Sequence, residues 1–343
     1  MAEADPSIFA AMTAVPEHEV RDEAALDALL KDARAPFVVR GLVRDWPLVQ
    51  AGLVSNSAAR AYLVERARPV QFSISLGPPA TGGRMFYDQD MAMNFRMGTG
   101  RLADIFDGFE KHEGAPNPPT AYLGSIDMKT HFDGLVEENA PPLGDRNPRH
   151  SIWIGTSTRV AAHSDFPDNL ACCAVGKRRF TLFPPEQFRN LYLGPLDNTP
   201  AGRPISMVDF HAPDFDRFPR FADALEQAQV AELEPGDAVF VPSMWWHHVE
   251  GLSDFNILVN YWWRDVPSFA NDPQIALNHA ILALRDLPER DRAIWRDLFD
   301  HYVFDSRPEN YAHIPEGKRG VLDPLDATSA SRLRSFLLRM LNS

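Results

Sequence analysis

His163-Ser164-Asp165-Phe166-Pro167-Asp168-Asn169 holds a histidine and a carboxylate two residues apart, with an amide four residues further on. Side chains on an extended segment alternate between its two faces, so His163 and Asp165 point the same way. Far downstream comes Phe240-Val241-Pro242-Ser243-Met244-Trp245-Trp246-His247-His248. Neighbouring residues of a strand face opposite sides, so only one of the paired histidines can join the first set. The reading takes His247 and leaves His248 on the outer face or in a supporting position. Two imidazoles and one carboxylate gathered on one side of a cation make a facial set that holds Fe(II) and leaves its other positions open. The His-x-Asp pair alone is a weak signal, since a turn aspartate beside a buried histidine gives the same letters. Its setting, between the strand-like Trp153-Ile154-Gly155 and Asn169, strengthens it.

The surrounding sequence decides the fold class. From Ser151 to Trp263 short strand-like runs alternate with turn residues: Ile152-Trp153-Ile154, Leu170 to Val175, Phe180 to Phe183, Ala238 to Val241 and Asn256 to Trp263. That rhythm belongs to an antiparallel barrel or jelly roll. Glu234-Pro235-Gly236-Asp237 places proline then glycine at the centre of a type II turn. The chain is expected to be mainly β with flanking helices: a double-stranded β-helix of the cupin-like kind over 120–266. Residues 1–119 form an N-terminal α/β elaboration, and 267–343 a helical tail.

In the elaboration, helical spacing predicts a helix over 21–33, and Pro36 stops it. Phe37 to Gly41 reads as a short strand, and Ser57 to Ala67 as a helix capped by Ser55 or Ser57. Val70 to Leu76 alternates cleanly and predicts a strand with one wet face. Met85-Phe86-Tyr87 predicts another short strand and Leu102 to Phe109 a short helix. Ala121 to Ile126 reads as a strand entering the main sheet. After Pro267, three apolar stripes at helical spacing follow: Ile275 to Leu287, Ile294 to Tyr302, and Leu333 to Leu341. The third stripe closes the sequence, which favours a partner for these helices.

The totals narrow the function classes. A chain of 343 residues with 45% hydrophobic and 24% charged content can build a sizeable core. The formal net charge of −13 works against phosphate backbones, so nonspecific nucleic-acid binding is disfavoured. The only two cysteines, Cys172 and Cys173, are adjacent and build no disulfide framework, which fits a reducing compartment. The acidic start, Met1 to Pro6, does not read as a signal peptide, and no apolar run is long enough to span a membrane. A cytoplasmic protein is expected. The histidines other than 163, 247 and 248 lack a partner at ligand spacing and are expected at the surface or at caps.

With these motifs in view, the sequence resembles the cupin-like branch of the Jumonji C family, and within it the asparaginyl hydroxylases acting on hypoxia-inducible factor. The resemblance rests on Trp153-Ile-Gly155, His163-x-Asp165-x-x-x-Asn169, Gly176-x-Arg178-Arg179-x-x-Leu182-Phe183-Pro184-Pro185, Pro235-Gly236-Asp237, Phe240-Val241-Pro242, Trp245-Trp246-His247-His248-Val249-Glu250 and Val259-Asn260-Tyr261-Trp262. It is strong from Tyr122 to Trp263 and weaker at Pro36 to Gly41 and Trp46-Pro47. It implies iron held by His163, Asp165 and His247, with 2-oxoglutarate and O₂ as co-substrates. Oxidative decarboxylation to succinate and CO₂ would then be coupled to hydroxylation of a further substrate.

The resemblance also implies a basic residue gripping the distal carboxylate of 2-oxoglutarate. That position is usually lysine, and here it is Arg178. Alternation supports this, because Arg178 shares its face with Phe180 and Leu182 while Lys177 and Arg179 face out. A guanidinium can hold a carboxylate with two parallel hydrogen bonds. Tyr122 matches a tyrosine contacting the same carboxylate, and Asn169 and Asn260 match polar pocket residues. Two departures stand out. Val160 occupies the place of a threonine that bonds 2-oxoglutarate, and Gly124 replaces a glutamine that grips a peptide substrate. Trp245, Trp246 and Trp262 are expected to wall the site.

The substrate stays open among polypeptide, small molecule and nucleic acid, with a protein side chain or small molecule favoured by the charge. Rival readings are a metal-binding cupin that needs no co-substrate, a non-catalytic cupin, and a hydroxylase of RNA. The C-terminal helices are expected either to pair two copies of the chain or to pack on their own barrel.

Overall fold

The computed structural model describes Ile8, Phe9 and residues 11–342; the acidic Met1 to Pro6 start lies outside the described residues. Contacts divide the chain into two units, Met1–Arg264 and Asp265–Ser343.

The first unit is built on two sheets. The six-stranded sheet runs in the order β1 (Thr13–Ala14), β11 (Gln229–Leu233), β10 (Arg178–Phe183), β13 (Trp246–Gly251), β8 (Arg159–Ser164) and β4 (Arg84–Met85). The eight-stranded sheet runs β2 (Phe37–Val39), β12 (Ala238–Val241), β9 (Asp168–Val175), β14 (Asn256–Trp263), β7 (Arg149–Gly155), β6 (Thr120–Asp127), β3 (Phe72–Gly77) and β5 (Arg96–Gly100). Pairing is antiparallel except where β1 meets β11 and β4 meets β8. This is the expected jelly roll, with mostly antiparallel strands drawn from distant parts of the chain.

Alternation sorts the side chains into layers. Val38, Ala171, Cys173, Phe180, Leu182, Val239, Val249 and Leu258 come from both sheets and form one buried cluster between them. The opposite face of the eight-stranded sheet packs on the helices of the elaboration, with Leu26, Leu48, Leu63, Phe72, Phe106 and Ile154 in one cluster. The opposite face of the six-stranded sheet is covered by the segment after β10, through Phe183, Phe210, Phe221 and Trp246.

Local sequence explains the element ends. Asp22 accepts from the Ala25 amide and starts helix Glu23–Asp32, and Ser55 accepts from the Ala58 amide and starts helix Asn56–Arg66. At the turn between β11 and β12 the Asp237 amide donates to the Glu234 carbonyl at 3.0 Å and Gly236 has φ 99°, the type II geometry that only glycine adopts without strain.

Two strand expectations change. The short strand expected at 85–87 is confined to Arg84–Met85, and β5 has no counterpart in the sequence reading. Glycines at 98 and 100 lower strand propensity there; pairing with β3 from Phe72↔Gly100 to Leu76↔Arg96 supplies what local preference does not.

The second unit contains helices Pro273–Leu284, Glu289–Phe299 and Ala327–Leu341, with Asp272, Pro288 and Asp326 at their N-caps. Their apolar stripes are mostly exposed; Tyr311 and Ala330 are the buried apolar residues described in this unit. No described helix is long and apolar enough to cross a membrane.

Candidate metal centre and its cavity

β8 and β13 lie side by side with His163 and His247 as register partners. Their ring centroids are 4.3 Å apart. Asp165 sits just past the end of β8, not on a continuous strand as the alternation argument assumed. Its carbonyl accepts from the Met244 amide at 2.8 Å, which ties it to the turn leading into β13. Its Oδ2 lies 3.6 Å from His247 Nε2. One ligand atom from each of the three side chains falls within 4.8 Å of the others, and among the described residues no other such cluster exists.

The hydrogen bonds around the set prepare it for a cation. His163 Nδ1 donates to the Ala161 carbonyl at 2.9 Å, and His247 Nδ1 donates to the Trp245 carbonyl at 3.0 Å. Each bond spends the Nδ1 proton on the backbone and leaves Nε2 with its lone pair, the tautomer a metal requires. Burial pulls the His163 pKa down to about 4, so the ring is neutral at neutral pH. Burial alone would raise the Asp165 carboxyl, but His247, His163 and Arg203 together hold it down at about 2. Two imidazoles and one carboxylate converging on a point are a donor set that fits Fe(II).

The set opens into a cavity of about 270 Å³ that also holds Arg178, Tyr122, Asn169 and Asn260. Arg178 starts β10 with its side chain inward, 1% exposed. Its Nε and Nη2 have no hydrogen-bond partner among the described residues. Burial lowers its pKa from the ordinary value, and among the described residues no carboxylate stands by to restore it. Tyr122 lies against Arg178's field, its hydroxyl pushed up to about 12 by burial and so a proton donor at neutral pH. It fits because position 155 is glycine: a Cβ there would meet Tyr122 Cδ2 at 2.9 Å. Asn260 Nδ2 donates to Asn169 Oδ1 at 2.7 Å, and Asn260 Oδ1 has no partner among the described residues.

The structure thus brings all seven expected site residues to one cavity, with Val160 and Gly124 also on its wall. Trp262 lines it, but Trp245 and Trp246 do not. Trp245 packs between the sheets and donates to the Arg34 carbonyl, and Trp246 faces the outer cluster and donates to the Pro185 carbonyl. Trp246 is the first residue of β13, so alternation turns it away from His247 and onto the outer face with His248, while Met244, with φ 69°, bends the backbone just before Trp245. Trp153 takes the wall position, stacked on Tyr122 at 6.0 Å.

His248 is buried on the opposite face, 4.6 Å from the Phe210 ring, as its parity with His247 requires. His211, expected at the surface or a cap, is half-buried and hydrogen-bonded to Glu250. The sequence reading also missed that Ser73, which is exposed, and Ser75, which is half-buried, line the cavity, and it missed Arg203, which lies 4.1 Å over the Phe166 ring.

A double-stranded β-helix carrying a two-histidine, one-carboxylate cluster defines the class of cupins with a metal centre. Comparison of the sequence with known families agrees: the model of the cupin-like domain matches residues 24–269, and the chain belongs to this Jumonji C-type cupin-like family. Among curated relatives, tRNA wybutosine-synthesizing protein 5 of Danio rerio is 30% identical over 191 residues, 54% of this chain and 53% of its own. Lysine-specific demethylase JMJ31 of Arabidopsis thaliana is 31% identical over 115 residues, 33% of this chain and 20% of its own. HSPB1-associated protein 1 of Homo sapiens is 33% identical over 123 residues, 35% of this chain and 24% of its own. The chain therefore spans about half the length, or less, of these relatives. The X-ray structure of E. coli ycfD aligns with 92% of this chain and 67% of its own at 16% identity and a TM-score of 0.42, too distant to bear on function.

Proposed function

We propose that the protein is an Fe(II)- and 2-oxoglutarate-dependent oxygenase that hydroxylates a substrate held at the cavity mouth. The observation that carries this reading is Arg178. A buried guanidinium without a counter-ion costs several kcal/mol unless an anion completes it. The anion must sit in the same cavity as His163, Asp165 and His247. A dicarboxylic keto acid meets both demands, one end at the metal and the other on Arg178.

Bound by His163, Asp165 and His247, iron with 2-oxoglutarate would supply oxygen activation. The chain's own residues do the rest. Arg178 binds the distal carboxylate, with the Tyr122 hydroxyl donating beside it. The Asn169–Asn260 pair fixes an amide oxygen toward the cavity, and Trp153 and Trp262 exclude water from one wall. The backbone carbonyls of Ala161 and Trp245 hold the imidazole tautomers. The reading is tested by incubating the full chain with Fe(II), ascorbate and 2-oxoglutarate and measuring succinate. Slow Fe(II)-dependent succinate formation supports it, and none above a metal-free control counts against it.

The relatives named for tRNA wybutosine synthesis favour an RNA substrate as a second reading. The net charge of −13 opposes it. We further propose that two copies pair through the second unit. Leu282 is 77% exposed, Phe304 73% and Leu338 57%, more apolar surface than a monomeric helical unit usually leaves in water. Cys172 and Cys173 are buried free thiols whose pKa values burial raises, chemistry suited to the reducing cytoplasm to which we assign the protein.

A further inference from the structure

β5 ends the eight-stranded sheet, and its outer side pairs with no other strand among the described residues. Natural sheets guard such edges with charged side chains, proline or a bulge. β5 reads Arg96-Met97-Gly98-Thr99-Gly100, carries a charge only at its first residue and has neither proline nor bulge, and leaves Met97 66% exposed.

The same strand separates two concavities. On one face Ser73, Ser75 and Met97 line the cavity that contains the metal cluster. On the other face lies a slot of about 390 Å³, walled by Ile74, Leu76, Ile105, Phe109, Pro119 and Ala121. Alternation creates this division, since odd and even residues of β3 and β5 face opposite ways. Glycines 98 and 100 put only hydrogen on the slot side of β5, so the slot reaches the backbone, and Gly108 on the neighbouring helix leaves its Cβ position open, with nothing within 4 Å.

A strand added to a free edge hydrogen-bonds through its main chain and alternates its side chains between the faces. Next to β5, one side chain would turn toward the metal cavity and its neighbour toward the apolar slot. Among the residues lining the metal cavity, only Arg178 and Asp165 are charged, and both already have roles there. No other lining side chain remains to pair an ammonium, a guanidinium or a second carboxylate. A phosphate backbone cannot complete a strand edge, and the slot carries no lysine or arginine.

We infer that the substrate is an extended polypeptide that adds to β5 as a further strand, offering an uncharged side chain to the metal cavity and a large apolar one, a single residue away, to the slot. The word substrate rests on the oxygenase reading; the docking edge does not.

The test is selection of a random peptide library displayed on phage against the full chain, beside a random single-stranded RNA pool. Enriched peptides should share an uncharged residue next to a large apolar one. N-methylation scanned along such a peptide should weaken binding at every second position, because only alternate amides face β5. Gly108→Leu, which fills the slot and favours its helix, should weaken binding about tenfold or more. His163→Ala should leave peptide binding intact. Loss of binding at every N-methylated position equally or at none, unchanged affinity in Gly108→Leu, or capture of RNA with no peptide enriched would each overturn the inference. Peptide binding with the expected pattern but no 2-oxoglutarate turnover would uphold the edge and sink the oxygenase; turnover with no patterned peptide would do the reverse.

Discussion

His163 and His247 are register partners on adjacent antiparallel strands, and each ring is fixed by an Nδ1–H bond to the carbonyl two residues before it. The two imidazoles therefore present Nε2 before any ion arrives, so little reorganisation opposes metal binding. His247→Gln keeps a polar side chain but loses the imidazole donor. Anaerobic calorimetry with Fe(II) should show affinity reduced at least about 100-fold, beyond the ~10–100-fold that loss of an outer hydrogen bond costs such sites. Equal affinity would remove His247 from the ligand set.

Arg178 separates stability from function. With no counter-ion, its guanidinium is a burden to the unliganded fold, and Arg178→Met fills similar volume without charge. The Tm of the metal-free protein should stay level or rise. The extra Tm gained on adding 2-oxoglutarate should vanish. Arg178→Lys should retain part of that gain, with affinity down about tenfold, because a point charge replaces a two-pronged grip. A fall in Tm for Arg178→Met would mean that the guanidinium has an unrecognised partner.

Gly155→Ala tests the seat of Tyr122. The new methyl would lie 2.9 Å from Tyr122 Cδ2 and 3.0 Å from the Ala121 carbonyl, so the ring has to shift. Overpacking of this kind costs about 1–3 kcal/mol, readable in urea unfolding. The KM for 2-oxoglutarate should rise, while Gly82→Ala, remote from the cavity, should leave it unchanged. An unaltered KM in Gly155→Ala would deny Tyr122 its role beside Arg178.

The face of β13 opposite the metal cluster carries an acid-sensitive group. Burial alone would raise the Glu250 carboxyl, but His211, His248 and Arg179 hold it at about 2 against an ordinary 4.5. The unfolded chain takes up this proton more readily than the native one. The resulting stability, on the order of 3 kcal/mol, is therefore complete above about pH 4.5 and is lost as pH falls toward 2. Glu250→Gln should flatten the dependence of the urea midpoint on pH across that window. An unchanged slope would show that Glu250 titrates normally.

Exposed apolar stripes on the second unit predict self-association. Light scattering after gel filtration should give twice the mass of 38.5 kDa for the native chain, and Leu282→Glu with Leu338→Glu should give the single mass. A native monomer would dismiss the pairing.

Much of the site could be read in the letters because alternation is rigid: His163, Arg178 and His247 keep their inward parity along β8, β10 and β13. What alternation could not reach were positions set by other strands. Ser73 and Ser75 read as the wet face of their strand, and only the position of β3 in the sheet shows that this face borders the cavity. β5 is a strand only because β3 pairs with it. Trp246 stands next to His247 on β13, so alternation itself turns it outward, and Trp245 lies before the strand, where a left-handed residue at Met244 bends the backbone and nothing in that methionine's chemistry announces it. Arg203 comes from a loop, where no periodicity operates.

The account's central claim is that one small dicarboxylate bridges Arg178 and a metal held by His163, Asp165 and His247. Anaerobic titration of the protein with Fe(II) and 2-oxoglutarate, followed by visible absorption, tests it most directly. The account predicts a metal-to-ligand charge-transfer band that saturates with 2-oxoglutarate, disappears in His163→Ala, and needs far more 2-oxoglutarate in Arg178→Met. No band in the native protein, or the same band at the same concentrations in both variants, would contradict it.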